Sequence, residues 1–397
     1  MTDWAKIYQD TRVSQSYAYF DTGAAAPPPA PVIAAVNDYL NKTAELGTYL
    51  PAFRKAVYQG IEVTRQKLAA FINASPTEIA FTRNGTEAIC LAARGIDWQE
   101  GDEIILPDTE MLSNVSIWHL LAKEKKIRLV SLKASAEGVI DPQQVRNLIT
   151  SKTRMISFVA LSNVTGAVQS VAEICQIARQ QGVLSHVSAS QALGLLRVDV
   201  QAWQCDFLSA CGRKGLRAIE GSGLLYVRES LISSLSPALV GWWNSSMDEA
   251  GNVVLPETAK RFEAGCPNVP AIISMDSALD YANAIGINVV EQRCRELTHY
   301  ALEKLAQIPG FEAYGPADAS GRLGIIPFNI SGVKPDKLTE WLEAQHIIIE
   351  SGHFMASAIL KNYQIEKMGR ISLHYFNQFS EIDRLALCIT QFIKESV

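Results

Sequence analysis

The chain has 397 residues, 48% hydrophobic and 19% charged, with a formal net charge of −5; this suggests roughly two or three domains with large cores and excludes global disorder. Without a basic stripe, such a chain is not expected to bind nucleic acid. No apolar run approaches the ~18 residues that span a bilayer, Met1-Thr2-Asp3-Trp4 lacks the layout of a signal peptide, and the seven scattered cysteines form no CxxC pair, so no membrane contact and a cytoplasmic location are expected.

Residues 1–30 read as an N-terminal arm containing a rigid proline-rich loop at 24–31. From 31 to 268 long amphipathic segments alternate with short aliphatic runs. Strands are expected at 78–82, 103–106, 128–132, 155–161, 184–187, 207–210 and 223–227, with helices at 86–95, 115–125, 142–150 and 171–180. Alternation of this kind predicts an α/β domain, a mostly parallel, doubly wound sheet with helices on both faces. After a hinge near 266–271, a long helical stretch runs through 304. Short strands at 324–330, 347–349 and 370–373 then alternate with helices, which fits a smaller C-terminal α+β domain over 269–397 on which part of the arm packs.

A sheet of this type places its chemistry beyond the carboxyl ends of its strands, and polar motifs do follow the apolar runs. Asn84-Gly85-Thr86-Glu87 sits at a strand-to-helix turn, where free N–H groups and a hydroxyl can cradle an anion; an ordinary helix cap would look the same. It is no Walker loop, because GxxxxGK[ST] is missing. Gly221-Ser222-Gly223 is too short for a dinucleotide fingerprint. Lys214 ends a strand within Cys211-Gly212-Arg213-Lys214-Gly215, where an adjacent cation and partial burial favour the neutral amine of a nucleophile. A solvated surface lysine is the commoner fate of the residue type. The six histidines offer no metal pair at helical spacing, so no metal site is expected.

Taken together, these loops resemble the class V aminotransferase family of pyridoxal-phosphate enzymes, especially its cysteine desulfurase and C–S lyase branch, over residues 19–392. The resemblance implies a fold-type I aminotransferase-like architecture, pyridoxal 5'-phosphate as cofactor and a homodimer. It implies that Lys214 is the Schiff-base lysine and that Gly85 and Thr86, within Thr82 to Ala88, form the phosphate-binding turn. Asn163 matches the asparagine that faces substrate and cofactor, and Gln191 the glutamine that bonds the cofactor's phenolic oxygen. Arg370 matches the arginine that grips the substrate carboxylate, for which a planar fork of donors is suited. Arg261-Phe262-Glu263-Ala264-Gly265 matches a segment that approaches the neighbouring subunit's phosphate.

Several positions depart from the family pattern. Ser188 stands where the family places an aspartate against the pyridine nitrogen; a neutral serine cannot pair with a pyridinium, and each pKa unit lost weakens the electron sink by roughly 1.4 kcal/mol. Met111 stands for the stacking histidine, Cys211 for the motif serine, Arg213 for its histidine and Cys266 for a threonine. In the loop from Glu350 to Ala356, Met355 occupies the place of the sulfur-accepting cysteine. The expected function is a pyridoxal-phosphate enzyme acting on an amino acid or related amine, of lyase or elimination type. Because a thioether forms no persulfide, a persulfide-forming desulfurase is not expected. A non-catalytic binding or assembly module and an epimerase or aminotransferase-type biosynthetic enzyme remain alternatives.

Overall fold

The computed structural model describes residues 2–396; Met1 of the arm and Val397 of the small domain lie outside the described residues. Seven strands make the central sheet: β1 (Ile79–Thr82), β2 (Glu103–Pro107), β3 (Arg128–Leu132), β4 (Thr153–Val159), β5 (Leu184–Ser188), β6 (Phe207–Cys211) and β7 (Gly223–Val227). Their order is β1-β7-β6-β5-β4-β2-β3. Only β7 runs against its neighbours; the other pairs are parallel. The apolar runs are nearly continuous because both faces are covered. On β2, Ile104 and Leu106 enter one buried cluster while Ile105 enters the other, the alternation that a pleated strand imposes.

Helices α1 (Ala30–Leu46), α2 (Pro51–Phe71), α3 (Gly85–Gly95) and α4 (Ser116–Lys125) belong to this unit. The helical stretch expected to run unbroken through residue 304 is two helices, α5 (Val269–Ile285) and α6 (Ile287–Leu305). They part at Gly286, whose φ of +90° no helix accommodates. Helix α5 packs on α1 and α2, and its Met275, Ala278 and Leu279 join the sheet's core.

The smaller unit is an antiparallel sheet of β8 (Phe311–Ala313), β9 (Ile325–Ile330), β10 (Glu350–Gly352) and β11 (Met368–Ser372), in the order β8-β9-β11-β10. The N-terminal arm reaches it: Ala18–Tyr19 pairs in parallel with Ile347–Ile348. This path carries residues 21–26 past the carboxyl ends of the large sheet, where the site lies.

Candidate active site

One cleft collects the loops that follow β1, β2, β4, β5 and β6. It is lined by Gly85, Thr86, Met111, Asn163, Ser188, Gln191, Cys211, Arg213 and Lys214, among others. Parallel strands deliver these residues together because their carboxyl ends share one edge.

Each wall has a local cause. Asn84 caps α3, its Oδ1 accepting from Glu87 N at 2.9 Å, which leaves the amides of Gly85 and Thr86 turned to the cleft. The N-terminus of this eleven-residue helix thus offers donors and a positive dipole end to an anion. A Cβ on Gly85 would stand 2.7 Å from Ser190 Oγ, so glycine lets the helix close on the loop after β5. Lys214 is 8% exposed, and its amine has no hydrogen-bond or ion partner among the described residues. Burial holds its pKa below the ordinary lysine value, with Arg213 and Arg370 acting in the same direction and Cys211 against it. Gln191 Nε2 donates to Gly23 O at 2.8 Å, tying the arm to the cleft wall.

This donor set fits pyridoxal phosphate. The α3 N-terminus, Thr86, Ser190 and Arg213 suit a phosphate, and a buried, unpaired, partly neutral amine suits an aldehyde carbon. The thioether of Met111 can pack on an aromatic face. Among the described residues no cluster of histidine, cysteine and carboxylate could hold a metal ion.

Two residues inferred from the resemblance stand apart. Cys266 is exposed and lies outside this cleft, in a neighbouring groove with Trp243, Glu263 and Asn268. Arg370 is buried on β11 and donates from Nη1 to Asn163 O at 3.1 Å. Its other nitrogen donates to Asp21 at 3.0 Å and to Glu350, and its guanidinium lies 4.3 Å from the ring centre of Phe354. Neither carboxylate was singled out from the sequence as an arginine partner, and no local signal links them. Met355 is exposed, with a φ of +56°; its carbonyl accepts from Leu112 N at 2.9 Å, docking the loop beside Met111.

Comparison with known proteins agrees with this geometry. A family model, Aminotransferase class-V, matches residues 18–385. The cysteine desulfurase of Serratia proteamaculans is 34% identical over 382 residues, 94% of this chain and 92% of that one. The apo structure of cysteine desulfurase from Thermococcus onnurineus superimposes with a TM-score of 0.94 at 27% identity, covering 100% of this chain and 99% of that chain. A C-DES variant with glycine covalently linked to its PLP cofactor has the same fold, with a TM-score of 0.88 at 22% identity over 98% of this chain and 99% of that one. These similarities correct one expectation. Persulfide-forming desulfurases were set aside on Met355 alone, yet the similar proteins are named cysteine desulfurases. Met355 is one exposed position on a loop outside the cleft lining, too little to set those similarities aside.

Proposed function

The chain belongs to the class-V aminotransferase family, and from that premise we propose that this pyridoxal-phosphate enzyme is a cysteine desulfurase, cleaving the C–S bond of cysteine or a close relative to leave alanine, the sulfur passing to a second thiol (free cysteine or a partner's) as its persulfide because Met355 cannot accept it. The observation that carries this proposal is the convergence, in one cleft, of the unpaired Lys214 amine and the α3 N-terminus, with the Arg370 guanidinium bonded to the cleft residue Asn163.

Bound there, pyridoxal phosphate supplies an electron-withdrawing ring that stabilises negative charge at the substrate's α-carbon. The chain's own residues do the rest. Gly85 and Thr86 would hold the phosphate with backbone donors and a hydroxyl. Lys214, whose charged form burial disfavours, takes and returns a proton at Nζ. Arg370 orients the substrate carboxylate once Glu350 gives way. Met111 would pack on a ring face and keep water off it, while Gln191 and Asn163 would supply amide contacts at the cleft wall.

A homodimer belongs to the same proposal. Tyr49, Tyr58 and Trp242 line one exposed groove, and Tyr49, Tyr58 and Cys266 line the next. An aromatic face of this kind suits a second copy of the chain, which would bring Cys266 toward the partner's cleft. Seven free thiols support a cytoplasmic location.

The test is to incubate the purified, cofactor-loaded protein with L-cysteine and measure alanine and released or protein-bound sulfur. Stoichiometric alanine and sulfur support the proposal; a cofactor-loaded protein that forms neither overturns it.

A further inference from the structure

A line of five buried polar side chains crosses the sheet beneath the cleft. Asn114 Nδ2 donates to Glu110 Oε2 at 2.7 Å, and Ser157 Oγ donates to Asn114 Oδ1 at 2.7 Å. Ser157 Oγ also lies 2.7 Å from His186 Nδ1, and His186 Nε2 lies 3.0 Å from Ser209 Oγ. Ser157, His186 and Ser209 have no exposed surface, and Glu110 and Asn114 are almost fully buried. Apolar side chains would fill this space at lower cost.

The direction of every hydrogen bond follows from donor and acceptor chemistry. An indole N–H only donates, and Trp118 Nε1 faces Asn114 Oδ1 at 3.4 Å; the amide oxygen is therefore on that side and the NH2 group faces Glu110. Ser157 gives its proton to Asn114, so it accepts from His186. The imidazole must then carry its hydrogen on Nδ1 and accept from Ser209 at Nε2. Burial keeps this imidazole neutral, with its pKa held down at about 3. Glu110 accepts at both oxygens, the second from Val159 N at 2.9 Å, although burial pushes its pKa up to about 7. All the donors thus point toward one carboxylate.

At the opposite end Ser209 Oγ keeps lone pairs that can accept. Ser209 is the register partner of Ser188 across β5 and β6, and paired residues of neighbouring strands share a face. The Ser188 side chain lines the cleft and makes no hydrogen bond to any described residue.

We propose that Glu110 is the counter-charge for the cofactor's ring nitrogen, acting through Asn114, Ser157, His186 and Ser209 on the hydroxyl of Ser188. The proposal rests on the pyridoxal-phosphate function and on Ser188 standing at the ring nitrogen. With the cofactor bound, the Ser188 hydroxyl would turn to its register partner Ser209 as donor and accept from a protonated ring nitrogen, so the ordered line would do at a distance what a carboxylate at position 188 would do by contact. No bond is made or broken along it. The five residues are positioning residues, and the effect is weaker than direct pairing because attraction falls with separation.

Solid-state 15N NMR of the holoenzyme, carrying ring-labelled pyridoxal phosphate and labelled histidine, tests this. Above pH 7, where Glu110 is ionised, the wild type should show a protonated ring nitrogen and His186 with its hydrogen on Nδ1. Glu110→Gln and Ser157→Ala should each move the ring signal toward the unprotonated position. Should either variant fail to fold, Ser188→Ala at the cleft surface removes only the last link and should give the same shift. An unprotonated ring in the wild type, a ring signal unmoved by the folded variants, or His186 protonated on Nε2 overturns the relay while leaving the cofactor in place. A wild type that takes up no cofactor, shown by the absence of a visible absorbance band, overturns the pyridoxal-phosphate function and the relay with it.

Discussion

Arg370 Nη2 donates to Asp21 Oδ1 at 3.0 Å, joining residues 349 positions apart, and Glu350 closes on the same nitrogen. Two carboxylates therefore hold the guanidinium from which a substrate carboxylate would be bound. Burial raises the Asp21 pKa to about 6 against the pull of Arg370, and Glu350 adds to the rise. The Asp21 side chain is 16% exposed and that of Glu350 41%, so Glu350 is the partner free to swing away.

Glu350→Gln should therefore lower KM for cysteine, by roughly 3–10-fold if one partly exposed ion pair of about 1 kcal/mol no longer competes. Arg370→Ala should weaken substrate binding by about 2–5 kcal/mol. Steady-state kinetics on both variants checks this. A Glu350→Gln enzyme with raised KM would mean that Glu350 helps to hold the substrate.

Lys214→Ala should abolish the visible band of the bound cofactor. Alanine formation should fall by at least about 10²–10⁴-fold, the scale of a lost proton-transfer group. Absorbance spectra and product assays on the same preparation check both effects. Near-normal turnover would move the catalytic role elsewhere.

The buried pair Glu110 and His186 predicts opposing pH effects on stability. The Glu110 pKa is raised from an ordinary 4.5 to about 7, so the folded chain holds the extra proton. This contribution is fully present below pH 4.5 and is lost as pH rises through 7. The His186 pKa is lowered from 6.5 to about 3, so its contribution is present above 6.5 and is lost on acidification. Each changes stability by at most about 1.4 kcal/mol per pH unit, and between 4.5 and 6.5 the two oppose each other. Urea denaturation at several pH values should show the stability of Glu110→Gln, relative to wild type, improving as pH rises from 4.5 to 7. A difference that does not change with pH would contradict the buried-carboxyl assignment.

Tyr49 and Trp242 are each more than half exposed and line one groove. Replacing both with glutamate should yield a monomer in sedimentation and weaken cofactor retention, because two charges would be buried at an apolar contact. An unchanged sedimentation coefficient would count against this face as a contact between two copies of the chain.

The side-chain period of two along a strand and the return of helical segments between strands made most of the sheet legible from the sequence. The positions of Ser188 and Lys214 were legible because one ends an apolar run and the other lies in the short loop after one, where a parallel sheet opens its cleft. The tertiary structure alone decided three other matters. It broke the helix at Gly286, whose positive φ interrupts the helical pattern. It set Asp21 and Glu350 against Arg370, and it aligned His186 with Ser157 and Ser209 on adjacent strands. Periodicity and turn chemistry act between neighbours in the chain and can be read there. Ion pairs and buried hydrogen-bond lines depend on strand order and register, which bring distant residues within 3 Å only after the whole sheet has formed.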